Sequence, residues 1–157
     1  MFKRVDNNIN LASVENEISN YWDEIDAFQS SLDNRKNNKV FRFYDGPPFP
    51  TGTPHYGNLL AGVIKDIVPR YWTMRGYYVE RRFGWDVHGL PIEMEVQKKL
   101  NLEDPQQIDE YGIDKFNEAC RTQVQTNTEN WEKITRKIGR WVDFENDYKT
   151  MDIDFME

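Results

Sequence analysis

The 157-residue sequence contains a single cysteine, Cys120, and this scarcity excludes two kinds of small-domain framework. One thiol cannot form an internal disulfide, and without a CxxC pair it cannot build a cysteine-rich zinc site. We therefore expect a reducing, cytoplasmic setting, and we predict no metal site made from the side chains of this chain.

Two further absences concern the surface. No apolar run approaches the length of a membrane span, so we expect no contact with a bilayer. The formal net charge is −7, so the surface has no excess of basic residues with which to neutralise phosphates. If the protein serves RNA, the basic surface lies mostly elsewhere. The hydrophobic content of 38% is nevertheless enough to build the core of one domain.

Apolar residues recur at helical and strand periods in alternating segments. Helices are predicted at 11–28, 59–72, 92–100 and from Asp104 to about 140. Strands are predicted at 40–44, as a buried strand, and at 77–83, ended by Gly84. This alternation is typical of an α/β fold with parallel strands and crossover connections, in which ligands collect in the loops beyond the carboxyl ends of the strands.

Individual residues refine the ends of these elements. Ser13 resembles an N-cap for the first helix, and Asp104, which proline follows, resembles an N-cap for the last. Pro69 is expected to kink its helix unless the helix ends early, and Gly76 to close it.

The first loop, Asp45–Asn58, follows a predicted strand and is dense in glycine, proline and threonine. Glycines allow a ligand to approach the backbone, and the start of the next helix offers unpaired N–H groups and a positive dipole end. His55 and Asn58 add side-chain donors, so polyphosphate is the ligand that this chemistry favours. The alternative is a tight turn in which His55 and Asn58 are capping or surface groups.

The second loop, Gly84–Pro91, carries one acid in an otherwise neutral and apolar setting. Asp86 suits an ammonium group there, although it could instead be the N-cap of the following helix. His88 is interpreted as a packed, hydrogen-bonded histidine rather than a catalyst.

The order histidine, aromatic residue, glycine and polar residue in His55–Asn58 resembles the HIGH signature of class I aminoacyl-tRNA synthetases. The upstream Gly46-Pro47-Pro48 and Gly52 fit the same motif. Together with Trp85-Asp86-Val87-His88-Gly89-Leu90-Pro91, they resemble the isoleucyl-tRNA synthetase family in particular. The tail at 141–152 is also similar, so the resemblance covers nearly the whole chain.

That resemblance implies a role for each motif residue in ATP binding. His55 and Asn58 would lie against the phosphates and act in catalysis, Gly57 would let the adenine and ribose approach, and Gly52 would belong to the same ATP site. Asn58 departs from the family motif, which usually ends in histidine. Asparagine keeps a neutral donor but cannot become a cation, which weakens the expected phosphate clamp.

The resemblance also implies the amino-acid site and the reaction. Gly46 and Pro47 would line the isoleucine pocket, and Asp86 would hold the α-ammonium group. Isoleucine would attack the α-phosphate of ATP, with Mg²⁺ as cofactor, and the product isoleucyl-adenylate would be transferred to tRNA(Ile). Domains after residue 157, including those for editing and anticodon binding, would make most of the tRNA contacts.

The implied organisation has two parts. Residues 1–38 would be an N-terminal helical extension, and residues 39–157 the first half of a Rossmann-like, HUP-type parallel-sheet domain, truncated before the editing insertion. Two alternatives remain open. One is another adenylate-forming transferase with a different amino acid, and the other is a non-catalytic truncated module that binds ATP, RNA or the parent enzyme.

Overall fold

A computed structural model of the chain describes residues 8–157 as an α/β fold with a small parallel sheet. Residues 1–7 of the predicted N-terminal extension lie outside the described residues. The elements in chain order are α1 Leu11–Glu24, α2 Ala27–Asp33, α3 Tyr56–Met74, β1 Arg82–Trp85, α4 Leu90–Leu100, α5 Pro105–Tyr111, α6 Ile113–Lys137, β2 Asp143–Lys149 and α7 Ile153–Met156. No helix within residues 8–157 is long and apolar enough to cross a membrane.

The two strands β1 and β2 pair in parallel, which confirms the predicted α/β fold with parallel strands, although β2 was not one of the predicted strands. Gly84 lies opposite Tyr148, and the register is irregular between Arg82 and Gly84. The second strand was therefore predicted too early and ended wrongly at Gly84, which lies inside β1. A Cβ on Gly84 would fall 2.0 Å from the ring of Tyr148. The ring occupies the side-chain position, so this place in the strand requires glycine.

The predicted buried strand at 40–44 is wrong. This segment makes one isolated parallel bridge, from Val40 to Tyr78, with hydrogen bonds from Phe41 N–H to the Tyr78 carbonyl and from Tyr78 N–H to the Lys39 carbonyl. Tyr44 is 87% exposed. A β-branched and aromatic run forms a strand only where a partner strand continues alongside it, and no ladder continues beside these residues in the described chain.

Helix limits also differ from the predictions. Asn10, not Ser13, caps α1, because its side-chain oxygen accepts the Ser13 N–H at 3.2 Å. The predicted helix 11–28 breaks at Asp26, whose φ of 44° is left-handed. The long helix predicted from Asp104 is two helices separated by Gly112 at φ 100°, although the Asp104 cap itself is confirmed. Helix α3 continues through Pro69.

The core lies between the sheet and the helices α4 and α6. Phe83 on β1 stacks on Phe144 of β2 with ring centroids 4.7 Å apart. The other members of the buried cluster are Trp85, Val87, Ile92, Val96, Phe116, Val124, Trp131 and Val142. Helix α3, by contrast, exposes large apolar side chains, namely Leu60, Val63, Ile64, Ile67, Val68, Tyr71 and Met74.

Candidate active site

The first loop ends in a capped start of α3. His55 is the N-cap, and its Nδ1 accepts the Gly57 N–H at 3.1 Å. Asn58 reaches back, and its Oδ1 accepts the His55 N–H at 3.0 Å. These reciprocal bonds form a capping box, which satisfies two of the free N–H groups at a helix start. The interpretation of His55 and Asn58 as capping residues is therefore correct.

Capping does not use up the donors of these two residues. Because Nδ1 of His55 accepts a hydrogen bond, a neutral imidazole carries its proton on Nε2. The amide oxygen of Asn58 is the atom in the cap, so its NH₂ group keeps two donors. His55 is exposed and lies at the positive end of a 19-residue helix. The cap therefore leaves Nε2–H of His55 and the NH₂ group of Asn58 free to donate to a ligand, and an anion suits such donors.

Two glycines permit this geometry. A Cβ on Gly57 would lie 2.9 Å from Cε1 of His55 and would push the imidazole out of the cap. Gly52 has φ +56°, a left-handed conformation that favours glycine. The carbonyl of Gly52 accepts the indole N–H of Trp131 at 2.9 Å, which ties the middle of the loop to α6.

A buried ion-pair cluster holds the beginning of the loop. Both carboxylate oxygens of Asp45 are paired, one with Lys65 Nζ at 2.7 Å and the other with Arg140. Lys65 also donates to the Gly46 carbonyl at 2.6 Å. Gly46 is exposed, with no heavy atom within 4 Å of a Cβ placed on it, while the neighbouring Pro47 is half-buried. The space beside Gly46 is therefore open.

The second loop is joined to the first by a backbone hydrogen bond. Asp86 N–H donates to the Pro48 carbonyl at 2.9 Å. Helix α4 begins at Leu90 with Gly89 as its N-cap, so Asp86 is not the cap and that alternative is wrong. Its carboxylate is half-buried and makes no hydrogen bond or ion pair with any residue from 8 to 157. A carboxylate without a partner among the described residues therefore lies beside the first loop.

Thr150, which the sequence did not single out, holds the second loop against the end of β2. Its Oγ1 accepts the Val87 N–H at 3.0 Å and lies 2.6 Å from Nδ1 of His88, while its N–H donates to the Trp85 carbonyl at 3.0 Å. His88 is hydrogen-bonded as expected, but its side chain is exposed rather than packed. These contacts join residues more than 60 positions apart, and no local pattern predicts them.

Two groups near the site have shifted pKa values. Burial, helped by the nearby Asp45 charge and opposed by Arg82, raises the pKa of the Tyr148 phenol. Burial lowers the pKa of Arg81 to about 10, while Asp66 raises it and the cations Arg70 and Arg140 lower it further. Arg81 remains a cation at neutral pH.

The sequence matches the family described as tRNA synthetases class I (I, L, M and V) over residues 17–157. The chain belongs to that family. It is 50% identical over all 157 residues to an isoleucine–tRNA ligase of Treponema denticola, of which it covers 14%. It is 54% identical over 91% of its length to a cytoplasmic isoleucine–tRNA ligase of Arabidopsis thaliana, covering 12% of that protein. The isoleucine–tRNA ligase of Chlamydia abortus is 56% identical over 94% of the chain, which covers 14% of it.

The chain thus spans about one seventh of the length of these curated relatives. Among solved structures, it is similar to Agrobacterium radiobacter LeuRS in a ternary complex with tRNA and LeuAMS. The TM-score is 0.63 at 22% identity, over 90% of this chain and 16% of that one. The likeness shows a shared fold.

Proposed function

We propose that this chain forms the first part of the catalytic domain of an isoleucine–tRNA ligase. Such an enzyme activates isoleucine with ATP and transfers it to tRNA(Ile). The observation that carries the proposal is the hydrogen bond between Asp86 N–H and the Pro48 carbonyl, because it brings an unpaired acid beside the loop that leads to the α3 N-terminus. The relatives named isoleucine–tRNA ligase, at 50% identity or more, support this choice of amino acid.

The amino-acid side of the site lies where the two loops meet. The carboxylate of Asp86 binds the α-ammonium group of isoleucine, since it is half-buried and has no partner among the described residues. Gly46 and Pro47 line the pocket, and the open space beside Gly46 supports this assignment. A half-buried carboxylate gains more from pairing with an ammonium than an exposed one, because water screens the interaction less.

The ATP side lies at the start of α3. Nε2–H of His55 and the NH₂ group of Asn58 donate to the phosphates, and the helix dipole adds to their effect. Gly57 allows the nucleotide to approach the backbone, and Gly52 shapes the loop over it. Because Asn58 stays neutral, the clamp on the phosphates relies on hydrogen bonds rather than on a second imidazolium.

In the reaction, the isoleucine carboxylate attacks the α-phosphate and pyrophosphate leaves. This chain holds the carboxylate in line and places donors where negative charge develops, so it needs no nucleophilic side chain. No cluster of three metal-ligating side chains is present in residues 8–157, and the Asp45 carboxylate is already paired. Mg²⁺ would be held by phosphate oxygens of ATP and would neutralise their charge, while the donors of this chain bind other phosphate oxygens.

The same proposal covers the wider organisation. Residues 39–157 would be the first half of a Rossmann-like, HUP-type domain, preceded by a helical extension at 1–38. The net charge of −7 fits a tRNA partner held mainly by other parts of the protein. The proposed setting is the cytoplasm.

A chimera tests the proposal directly. Residues 1–157 of this chain would replace the matching segment of the Treponema denticola relative, which is 50% identical over the same length. Pyrophosphate exchange would be measured with isoleucine, valine or leucine, and the unmodified relative would be the reference. We expect isoleucine to give the highest kcat/KM. We expect valine to be about 10- to 200-fold poorer, a discrimination range for which isoleucyl-tRNA synthetases are themselves a standard case.

Each other outcome selects an alternative. Exchange that depends on valine or leucine but not on isoleucine would identify a transferase for a different amino acid. A folded chimera that binds ATP without any exchange would indicate a binding module instead of a catalytic one.

A further inference from the structure

Asp45 is the first residue of the loop, and three separate parts of the chain hold it. Its carboxylate, only 1% exposed, pairs with Lys65 of α3 at 2.7 Å and with Arg140, which follows α6. Its carbonyl accepts the hydroxyl proton of Tyr148 on β2 at 3.2 Å. Each of these partners is at least 20 positions away in the sequence, so Asp45 connects distant parts of the chain at this loop.

Two members of the cluster, Asp45 and Arg140, are buried, whereas the Lys65 side chain is 29% exposed and is held by a second contact. The Arg140 side chain is 5% exposed, and its guanidinium carbon lies 5.2 Å from the ring centre of Phe83 in the core. Lys65 holds both the carboxylate and the next peptide group, through the Gly46 carbonyl at 2.6 Å. Removing one charge from a buried cluster leaves the others uncompensated, so the geometry depends on all three.

The cluster also reaches the second loop. The ring that donates to the Asp45 carbonyl fills the side-chain space of Gly84, two residues before Asp86. Asp86 in turn donates from its N–H to the Pro48 carbonyl, three residues after Asp45. A displacement of Asp45 would therefore shift both walls of the proposed amino-acid pocket.

We propose that Asp45 is a positioning residue for amino-acid recognition. Its ion pairs with Lys65 and Arg140 hold Gly46 and Pro47 in place and keep the pocket open for the side chain of isoleucine. This inference rests on the proposed function. The ATP end of the loop has its own supports, namely the capping box at His55 and the indole hydrogen bond to Gly52, so the effect of Asp45 is confined to the amino acid.

The test compares Asp45→Asn with Asp66→Asn in the chimera described above. Asp66 is a matched control, because it lies on α3 next to Lys65, is also largely buried and pairs with Arg70 at 2.7 Å. Its other oxygen accepts the N–H of Trp141, beside Arg140, and asparagine keeps an oxygen for that bond. For Asp45→Asn we expect the KM for isoleucine to rise at least about tenfold, while the KM for ATP changes less than about twofold. For Asp66→Asn we expect both KM values to stay within about twofold, even if the melting temperature falls.

A purely structural role gives a different pattern. It would lower kcat through loss of folded enzyme and leave the KM for isoleucine unchanged, and that result would overturn the inference. The double variant Asp45→Asn with Lys65→Met adds a second criterion. Because both residues act through one cluster, its KM should be close to that of the worse single variant; a product of the two single effects would contradict the coupling.

Hydrogen exchange separates this inference from the proposed function. If the unsubstituted chimera shows no isoleucine-dependent pyrophosphate exchange, the proposed function fails, and the hydrogen-exchange rates of the hydrogen-bonded amides of Thr51 and Asp86 decide the role of Asp45. We expect Asp45→Asn to speed their exchange at least about tenfold and Asp66→Asn to leave it unchanged. Equal rates in the two variants would overturn the positioning role whatever the activity.

Discussion

Replacing Asp86 by asparagine tests the proposed amino-acid site most directly. The substitution removes one negative charge and keeps the shape of the side chain. It also keeps the backbone N–H that donates to the Pro48 carbonyl, so the two loops stay joined. Any loss of isoleucine binding then reports on the carboxylate itself.

The size of the loss follows from the burial of the carboxylate. Truncating one partner of a buried charge pair costs about 2 to 5 kcal/mol, and the half-buried position of Asp86 places it in the lower part of that range. A cost of about 2 to 3 kcal/mol corresponds to a fall of about 30- to 150-fold in kcat/KM for isoleucine. ATP binds at the start of α3, away from this carboxylate, so its KM should change less than about twofold.

The assay is isoleucine-dependent pyrophosphate exchange by the chimera, with Asp109→Asn as the control. Asp109 lies on α5 and is exposed, so its substitution makes the same change in net charge away from the site. Equal weakening of isoleucine and ATP by Asp86→Asn would refute the reasoning, because it would mean that Asp86 supports the loops rather than the ammonium group.

Three other predictions concern the phosphate loop, the pH dependence and the exposed helix. In the same assay, His55→Ala should lower kcat about 10²- to 10³-fold with a smaller change in the KM for ATP, and Asn58→His should be tolerated; unchanged turnover in His55→Ala would remove its catalytic role. Because the pKa of Tyr148 is raised in the folded chain, its contribution to the free energy of unfolding is lost as the pH rises from the ordinary phenol value of about 10 through the raised one. In urea unfolding between pH 8 and 11, Tyr148→Phe should therefore lose less of this free energy at alkaline pH than the unsubstituted chain, and equal losses would contradict this. The 157-residue chain alone should associate as its concentration rises, and Ile64→Lys with Ile67→Lys should reduce this in sedimentation velocity; a monomer at every concentration would contradict it.

Features that depend on neighbouring residues could be predicted from the sequence. The Asp104 cap was found because aspartate before proline is a local signal for a helix start. The loop before α3 was predicted from another local signal, its density of glycine, proline and threonine. Gly112 carried an equally local signal, yet the predicted helix ran through it, because the apolar periodicity continues on its far side while its backbone takes φ 100°.

The remaining features depend on distant parts of the chain. The segment 40–44 has a strand-like composition, but composition does not show how many partners a strand has, and here a single bridge forms. For the candidate site, sequence reasoning singled out Asp86 and His55 but not Thr150, Trp131 or Arg140. Their roles come from hydrogen bonds and ion pairs across 62 to 95 positions, which only the folded chain brings together.

Helix α6 holds the first loop at two places, through Trp131 on the Gly52 carbonyl and, just beyond its end, through Arg140 on Asp45. A helix rises 1.5 Å per residue, so the turns from Trp131 to Lys137 set a distance of about 9 Å that does not stretch. The segment between Asp45 and Gly52 has to bridge two fixed anchors. An extended chain of that length reaches about 23 Å, so the segment is long enough to fold back between them. For protein engineering, α6 is therefore the element to leave unchanged when the residues between Asp45 and Gly52 are redesigned.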